Sequence, residues 1–353
     1  MSMNSRERIL TALDGGQPDR IPCALSFYRV DLEGLFPGRE DTDNLVDVRF
    51  VRFPISPEER ELSRMAKPYS GDTRLGTLNQ VTTYAHWQYR PENTDHRNPL
   101  AKARSLEDLQ DFPYPDLSVP YSVDGLSKQV EDLHARGLAV GGNLPHLGGE
   151  LFEAAWRLRG LENFLIDLIE RPDWAHYVLD RLSDLARRNA ETLARSGIDV
   201  LSLDDDIGMP VSMMISPTTW RTFFKPRLGG IIQAARTIKP DLRVLYHSDG
   251  FFEPIIGDFI EIGVNAINPV QPDHMDAVRI RQKYGTDIAF WGTIGTQAAF
   301  SFNSPEQIRH EVKERLETLG RAAIVLCPAY DIDEPDIPRE NVAAFVEAVQ
   351  DFG

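Results

Sequence analysis

The chain has 353 residues, 42% of them hydrophobic and 9% aromatic, enough for a sizeable core in one large domain or two average ones. Its 54 acidic side chains outnumber 38 basic ones, a formal net charge of -16 that argues against a nucleic-acid partner or an anionic membrane surface, and no local basic cluster offsets it. No stretch approaches the roughly 20 uninterrupted apolar residues that a spanning helix needs, and two distant cysteines, Cys23 and Cys327, behind a start without a secretory pattern lead us to expect a reduced, cytoplasmic setting rather than a disulfide framework.

"NSRERILTALDGGQPDR" predicts a short N-terminal helix, with Ser5 as a capping-type residue, apolar Ile9, Leu10 and Leu13, and a stop at Gly15-Gly16 before Pro18. "RIPCALSF" follows as a strand. From about 41 to 116 the pattern is irregular: "VDVRFVRFPI" and "RLGTLNQVTTYAHWQYR" have strand-like content between loops, which predicts an insertion on the rim of the main fold. From Tyr121 the chain alternates. Apolar runs "LAVGGN", "IDVLSL", "LRVLY", "VNAIN", "DIAFWG" and "AAIVLC" are separated by helical stretches, and the runs lack polar alternation, as parallel strands buried on both faces do. Six strands between Leu138 and Pro328, plus "IPCALS" and one from the irregular region, bring the count to about eight. The fold class expected is α/β, a (β/α)8 TIM barrel with an N-terminal helix and a rim insertion, forming one domain over 1–353. A doubly wound sheet is the competitor, but no G-x-G-x-x-G follows the first strand.

Barrel active sites gather at the C-terminal ends of the strands. Here those ends turn polar together: Asn143, then Asp204, Asp205 and Asp206, then His247 and Asp249, then Asn268 and Gln271, then Trp291, and finally Cys327 and Tyr330. A pocket with several acids, an imidazole and two amides is the economical explanation. Any one Asp could instead cap a helix, a lone His is commonly structural, and Cys327 alone reads as a small buried hydrophobe. Three adjacent carboxylates in a partly desolvated mouth raise the pKa of at least one unless a cation neutralises them. His247 and Asp249, at i and i+2 on an extended segment, can face the mouth together. Trp291 is expected as a wall for a flat substrate.

"SRERILTALDGGQPDRIP", "LFEAAWRLRGLENFLIDLIERPDWAHYVLDRL", "IDVLSLDDDIGMPVSMMISPTTWRTFFKPRLGGII" and "YHSDGFFEPIIGDFIEIGVNAINPVQP", with "FWGTIGTQ" and "PRENVAAFVEAV" beyond, together resemble the uroporphyrinogen decarboxylase superfamily. The resemblance implies the same (β/α)8 barrel. It also implies one of two activities: decarboxylation of a porphyrinogen, or methyl transfer between small donors, corrinoid proteins and thiol or folate acceptors. The decarboxylase branch carries an arginine-rich N-terminal signature for a polycarboxylate substrate, of which "CALSFYRVDLEGLF" keeps at most Arg29, and the net charge opposes such a substrate.

The methyltransferase branch is therefore preferred. Its thiol-activating members carry His-x-Cys on the strand that here ends "YHSDG", and a later Cys; His247 matches the His, Asp249 stands in place of the Cys, and the late Cys falls at Tyr330, with Cys327 three residues earlier. The resemblance implies a mixed zinc site of His247, Asp249 and Cys327, joined by one of the carboxylates Asp204 to Asp206. This harder ligand set argues for demethylation of a small O- or N-methylated substrate, with the methyl passing to a corrinoid (cobalamin) carried by a partner protein. Asp204, Asp205, Asp206, His247 and Tyr330 are the expected catalytic residues, and Asn143, Asn268, Gln271 and Trp291 the expected substrate contacts. The alternatives are a decarboxylase-like carboxy-lyase and a non-catalytic tetrapyrrole-binding barrel. A homodimer is compatible with the sequence.

Overall fold

The computed structural model describes residues 2–25, 31–51, 98–112, 114, 123–144, 149–295, 297–329, 332 and 337–353. Within them the apolar runs become parallel strands: β1 (Val48–Val51), β2 (Ala139–Asn143), β3 (Val200–Asp204), β4 (Arg243–His247), β5 (Ala266–Asn268), β6 (Ala289–Ile294) and β7 (Ile324–Pro328). They pair in chain order, each parallel to the next. Helices carry the chain back between them, the longest being Pro172–Ser196, which starts on a proline and ends on Gly197 in the left-handed conformation that glycine tolerates.

The sheet curls on itself through the early segment. Ala24 N–H donates to Leu326 O (2.9 Å) and Leu326 N–H to Pro22 O (3.0 Å) beside β7, while Asp47 N–H, one residue ahead of β1, donates to Cys23 O (2.8 Å). Pro22 has no N–H to give, and the pairing here is an isolated bridge at Cys23 rather than a strand. Among the described residues the expected eight strands are thus seven, with "IPCALS" forming no eighth. "VDVRFVRFPI" supplies β1, whereas "RLGTLNQVTTYAHWQYR" and much of the expected rim insertion lie outside the described residues, as does Arg29.

Period-two alternation sorts each strand between two apolar clusters. Leu201, Leu203, Val244, Tyr246, Ile267, Phe290, Ile324 and Leu326 face outward into the cluster shared with the helices. Val48, Ala139, Val200, Leu245, Ala266, Ala289, Val325 and Cys327 face inward, where the N-terminal helix Ser5–Leu13 adds Ile9, Ala12 and Leu13 and closes one end. The inner residues are small, which makes room for Phe50 and Trp291, whose rings meet edge to face at 6.2 Å. Gly141 is part of this fit: a Cβ there would lie 2.3 Å from the Phe50 ring.

A recurring clamp fixes the lateral register at the N-terminal ends of the strands. Asp47, Asp199 and Asn265 stand one residue ahead of β1, β3 and β5. Each gives its N–H to a carbonyl of the preceding segment (Cys23, Val140, Val244) and its own carbonyl to an N–H of the following one (Ala139, Arg243, Ala289). Each also accepts, on its side chain, the N–H of that same preceding residue, at 2.8 Å from Cys23, 3.0 Å from Val140 and 2.9 Å from Val244. Arginines complete the set: Arg20 grips Asp47 bidentately (3.1 and 2.8 Å), Arg6 binds Asp199 (2.9 Å) and Arg236 binds Asn265 (2.8 Å). One residue, through its side chain and its backbone, thereby stitches three segments.

Asp47 is 0% exposed, so its loss leaves three donors, the Cys23 N–H and two guanidinium N–H groups of Arg20, without their acceptor. We expect Asp47→Ala to destabilise the fold by about 3–5 kcal/mol in urea denaturation, and a loss under about 1 kcal/mol would count against the clamp.

Candidate active site

Inward alternation continues past the apolar layer. Residues 143, 204, 247, 268, 291 and 327 extend the inner rows of their strands; Trp291 and Cys327 remain in the apolar layer, and Asp204, His247 and Asn268 follow it toward one mouth. Register makes three of them direct neighbours: Asp204 pairs His247, and His247 pairs Asn268. Asp204, Asp206 and His247 form a group whose ligand atoms all lie within 4.8 Å of one another, a donor set of two carboxylates and one imidazole able to hold a metal ion. Of the expected ligands His247, Asp249 and Cys327, only His247 belongs to this group.

The loops after β3 and β4 are zipped together. Asp205 N–H donates to His247 O (3.1 Å) and Phe251 N–H to Met209 O (2.9 Å). Ile207 N–H donates to Ser248 Oγ (3.1 Å) and Asp249 N–H to Asp206 Oδ1 (2.7 Å). The backbones come so close at Gly208 that a Cβ would lie 2.2 Å from Asp249 O. This zipper carries Asp206 and Asp249 up to the imidazole, whose Nε2 is 3.7 Å from Asp206 Oδ1 and 3.9 Å from Asp249 Oδ1. Asp249 in turn accepts from Gln271 Nε2 (2.9 Å), and Gln271 Oε1 takes the Gly250 N–H (2.8 Å), so Gln271 holds the β4 loop. On the other side of the ring, His247 Nδ1 is 2.5 Å from Asn268 Oδ1.

The three consecutive aspartates do different work. Asp205, 4% exposed, turns away and accepts N–H groups from Leu151 (3.0 Å), Phe152 (2.9 Å) and Glu153 (3.0 Å). It caps the helix Phe152–Arg159, whose own N-cap residue, Leu151, has no side-chain acceptor. Asp205 is therefore a cap supplied from across the fold, where a catalytic acid was expected. Burial raises its carboxyl to about 7 against the pull of those three N–H groups.

Other expected residues separate likewise. Trp291, 1% exposed, lies in the inner cluster beneath the mouth and offers its carbonyl, not its ring, to Asn268 Nδ2 (2.6 Å). Cys327 is buried in that cluster and donates Sγ–H to Leu25 O (3.3 Å). Asn143 Oδ1 is buried without a hydrogen-bond partner among the described residues. Tyr330 lies outside them.

Two acids at the mouth were not anticipated. Glu150 Oε2 accepts the Asp204 N–H (2.6 Å) while Asp204 O accepts the Glu150 N–H (2.9 Å), a reciprocal pair that braces Asp204. Burial, with the charges of Asp204 and Asp205, holds the Glu150 carboxyl well above the usual range. Glu153 is raised to about 7 by burial and by the charge of Asp206, with Arg157 pulling the other way. In sequence Glu153 is an acid in a helix's first turn, where the dipole favours it on any helix, and Glu150 lies just ahead of the same helix's N-cap, Leu151. Asp204 also rises well above its ordinary value, through burial first, with His247 opposing and Asp206 and Glu153 adding to the rise. Burial lowers the pKa of His247, but Asp204, Asp249 and Asp206 outweigh it and hold the imidazolium to about 10.

A family model described as uroporphyrinogen decarboxylase (URO-D) matches residues 101–352. Curated relatives include uroporphyrinogen decarboxylase of Coxiella burnetii, 27% identical over 271 residues, with 72% of this chain and 69% of the relative covered. Uroporphyrinogen decarboxylase 2, chloroplastic, of Arabidopsis thaliana is 23% identical over 262 residues, with 72% and 62% covered. Among solved structures, a methyltransferase from Methanosarcina mazei superposes over 99% of both chains with a TM-score of 0.66 at 19% identity, a likeness of fold.

Asp205→Ala should cost about 2 kcal/mol in urea denaturation, since it orphans three buried N–H groups; an unchanged midpoint would refute the capping role. Glu153 gives a pH signature. Its folded carboxyl sits at about 7 against an ordinary 4.5, so its protonated form is favoured by folding. That contribution is complete below about pH 4.5 and lost as pH rises through about 7. In metal-free protein, Glu153→Gln should therefore gain stability relative to wild type across that interval, and a pH-independent difference would refute it.

Proposed function

The chain belongs to the uroporphyrinogen decarboxylase (URO-D) family, and from that premise we propose that it is an enzyme transferring a methyl group from a small O- or N-methylated compound to a corrinoid protein. The observation that carries this reading is the Asp204–Asp206–His247 group at the ends of β3 and β4. It sits among Glu150, Glu153, Asp205 and Asp249, acids that offer a substrate bearing many carboxylates little cationic attraction and accommodate a neutral or cationic methylated one. The activity in the name of the Methanosarcina mazei neighbour agrees with the reading.

Two carboxylate oxygens and an imidazole nitrogen suit a divalent cation such as zinc and leave coordination positions open. Held by Asp204, Asp206 and His247, such an ion would supply Lewis acidity at the leaving oxygen or nitrogen. The protein's own part is positional and protonic. Glu150 braces Asp204 through the backbone, and the loop zipper holds Asp206 against His247. Glu153, carrying its proton up to about pH 7, is the acid available to the leaving group. The C–O or C–N bond breaks with its electron pair left on the heteroatom, which takes the Glu153 proton. The methyl carbon is received by a two-electron nucleophile, the Co(I) of the partner's corrinoid.

The test uses purified protein with Zn2+, free cob(I)alamin as acceptor, and a panel of methoxylated aromatics and methylated amines, following loss of Co(I) absorbance. At least one donor should be demethylated, and His247→Ala should lower the rate about 100-fold or more. Conversion of uroporphyrinogen to coproporphyrinogen, with no methyl transfer from any donor, would establish the decarboxylase reading that the curated relatives' names favour.

A further inference from the structure

Asn268 was expected to touch substrate, yet it is 3% exposed and both ends of its amide are engaged. One end lies 2.6 Å from the carbonyl oxygen of Trp291 and the other 2.5 Å from His247 Nδ1. A backbone carbonyl can only accept, so the amide end facing Trp291 must be the NH2 group. The end facing His247 is then the amide oxygen, which also only accepts. It follows that Nδ1 of His247 carries a proton in every protonation state of the ring that keeps this contact, and that Nε2 is the nitrogen able to give up its proton.

That nitrogen is the one aimed at the acids: Nε2 is 3.7 Å from Asp206 Oδ1. The chain of contacts runs across three neighbouring strands, from the Trp291 carbonyl on β6 through Asn268 on β5 to His247 on β4, and ends at Asp204 on β3. We infer that Asn268 is a positioning residue that fixes the tautomer and ring orientation of His247, presenting Nε2 to the Asp204–Asp206 carboxylates. Its consequence for metal affinity rests on the cation site proposed above; its consequence for the ring does not.

Proton-detected 15N spectroscopy of the histidine rings, with His247 assigned by its loss in His247→Gln, reads the tautomer directly, and Zn2+ titration reads the affinity. In metal-free wild type, a downfield, exchange-protected N–H should be found on Nδ1 of His247 and disappear in Asn268→Leu. Adding Zn2+ should shift Nε2 while Nδ1 keeps its proton. Asn268→Leu should weaken Zn2+ binding 10- to 100-fold, and Asn268→Asp, which as the carboxylic acid donates its O–H to the Trp291 carbonyl and accepts the same N–H on its other oxygen, should recover most of it and retain the Nδ1 proton. If Asn268→Leu does not fold, the Asn268→Asp spectrum decides alone. Zn2+ on Nδ1, an unprotonated Nδ1, or Zn2+ affinity unchanged within threefold in folded Asn268→Leu would overturn the inference. Wild type that binds no Zn2+ but shows the Nδ1 proton, lost in Asn268→Leu, would remove the cation site and leave the positioning role supported.

Discussion

Everything at the mouth depends on strand register, and register is held at the opposite end of the sheet. Asp204, His247 and Asn268 are neighbours only because β3, β4 and β5 are aligned as they are, and a slip of one residue would turn each of them to the helix-covered face. Asp47, Asp199 and Asn265 oppose the slip, since at the point where its strand begins each binds the segment before it through both side chain and backbone N–H and the segment after it through its backbone carbonyl. Two of the three are carboxylates at 0% and 1% exposure, and burying them is affordable because arginines and backbone N–H groups meet their oxygens.

The mouth handles the same problem differently. Six acids gather there with His247 and Arg157, and their charges are not all cancelled by partners. Asp205 is quieted by three helix N–H groups, and Glu150 and Glu153 respond to burial by holding protons. Asp204 and Asp206 face the imidazole because parity along the chain places them on the same side, with Asp205 between them pointing away, and Asp249 joins them from the β4 loop.

Much of this was legible in the sequence. Apolar runs ending in polar groups locate β2 to β7 and their active end, because burial on both faces leaves no polar alternation until the strand leaves the core. Parity then names Asp204, His247 and Asn268. What could not be read is non-local. An Asp that caps a helix more than fifty residues earlier looks, in "DDD", like its neighbours; Asp47, Asp199 and Asn265 look like ordinary residues before a strand; Glu150 and Glu153 look like acids gathered at a helix start. Cys327, placed in the metal site by resemblance to a thiol-rich relative, is drawn by its own parity into the apolar interior and bonds Leu25. "IPCALS" reads as a strand because its composition is apolar, but Pro22 withholds the donor a full ladder requires.

Trp291 joins two properties that are usually considered apart. Its ring is wedged among Phe50, Val325 and Cys327 in the inner cluster, while its carbonyl anchors the amide that orients the imidazole. The aim of one nitrogen is thus set by how tightly the interior below it is filled. A methyl-sized void beneath the indole, far from any ligand, would loosen the carbonyl, then the amide, then the ring, so that packing density in the core and sharpness of geometry at the mouth are a single mechanical quantity in this protein.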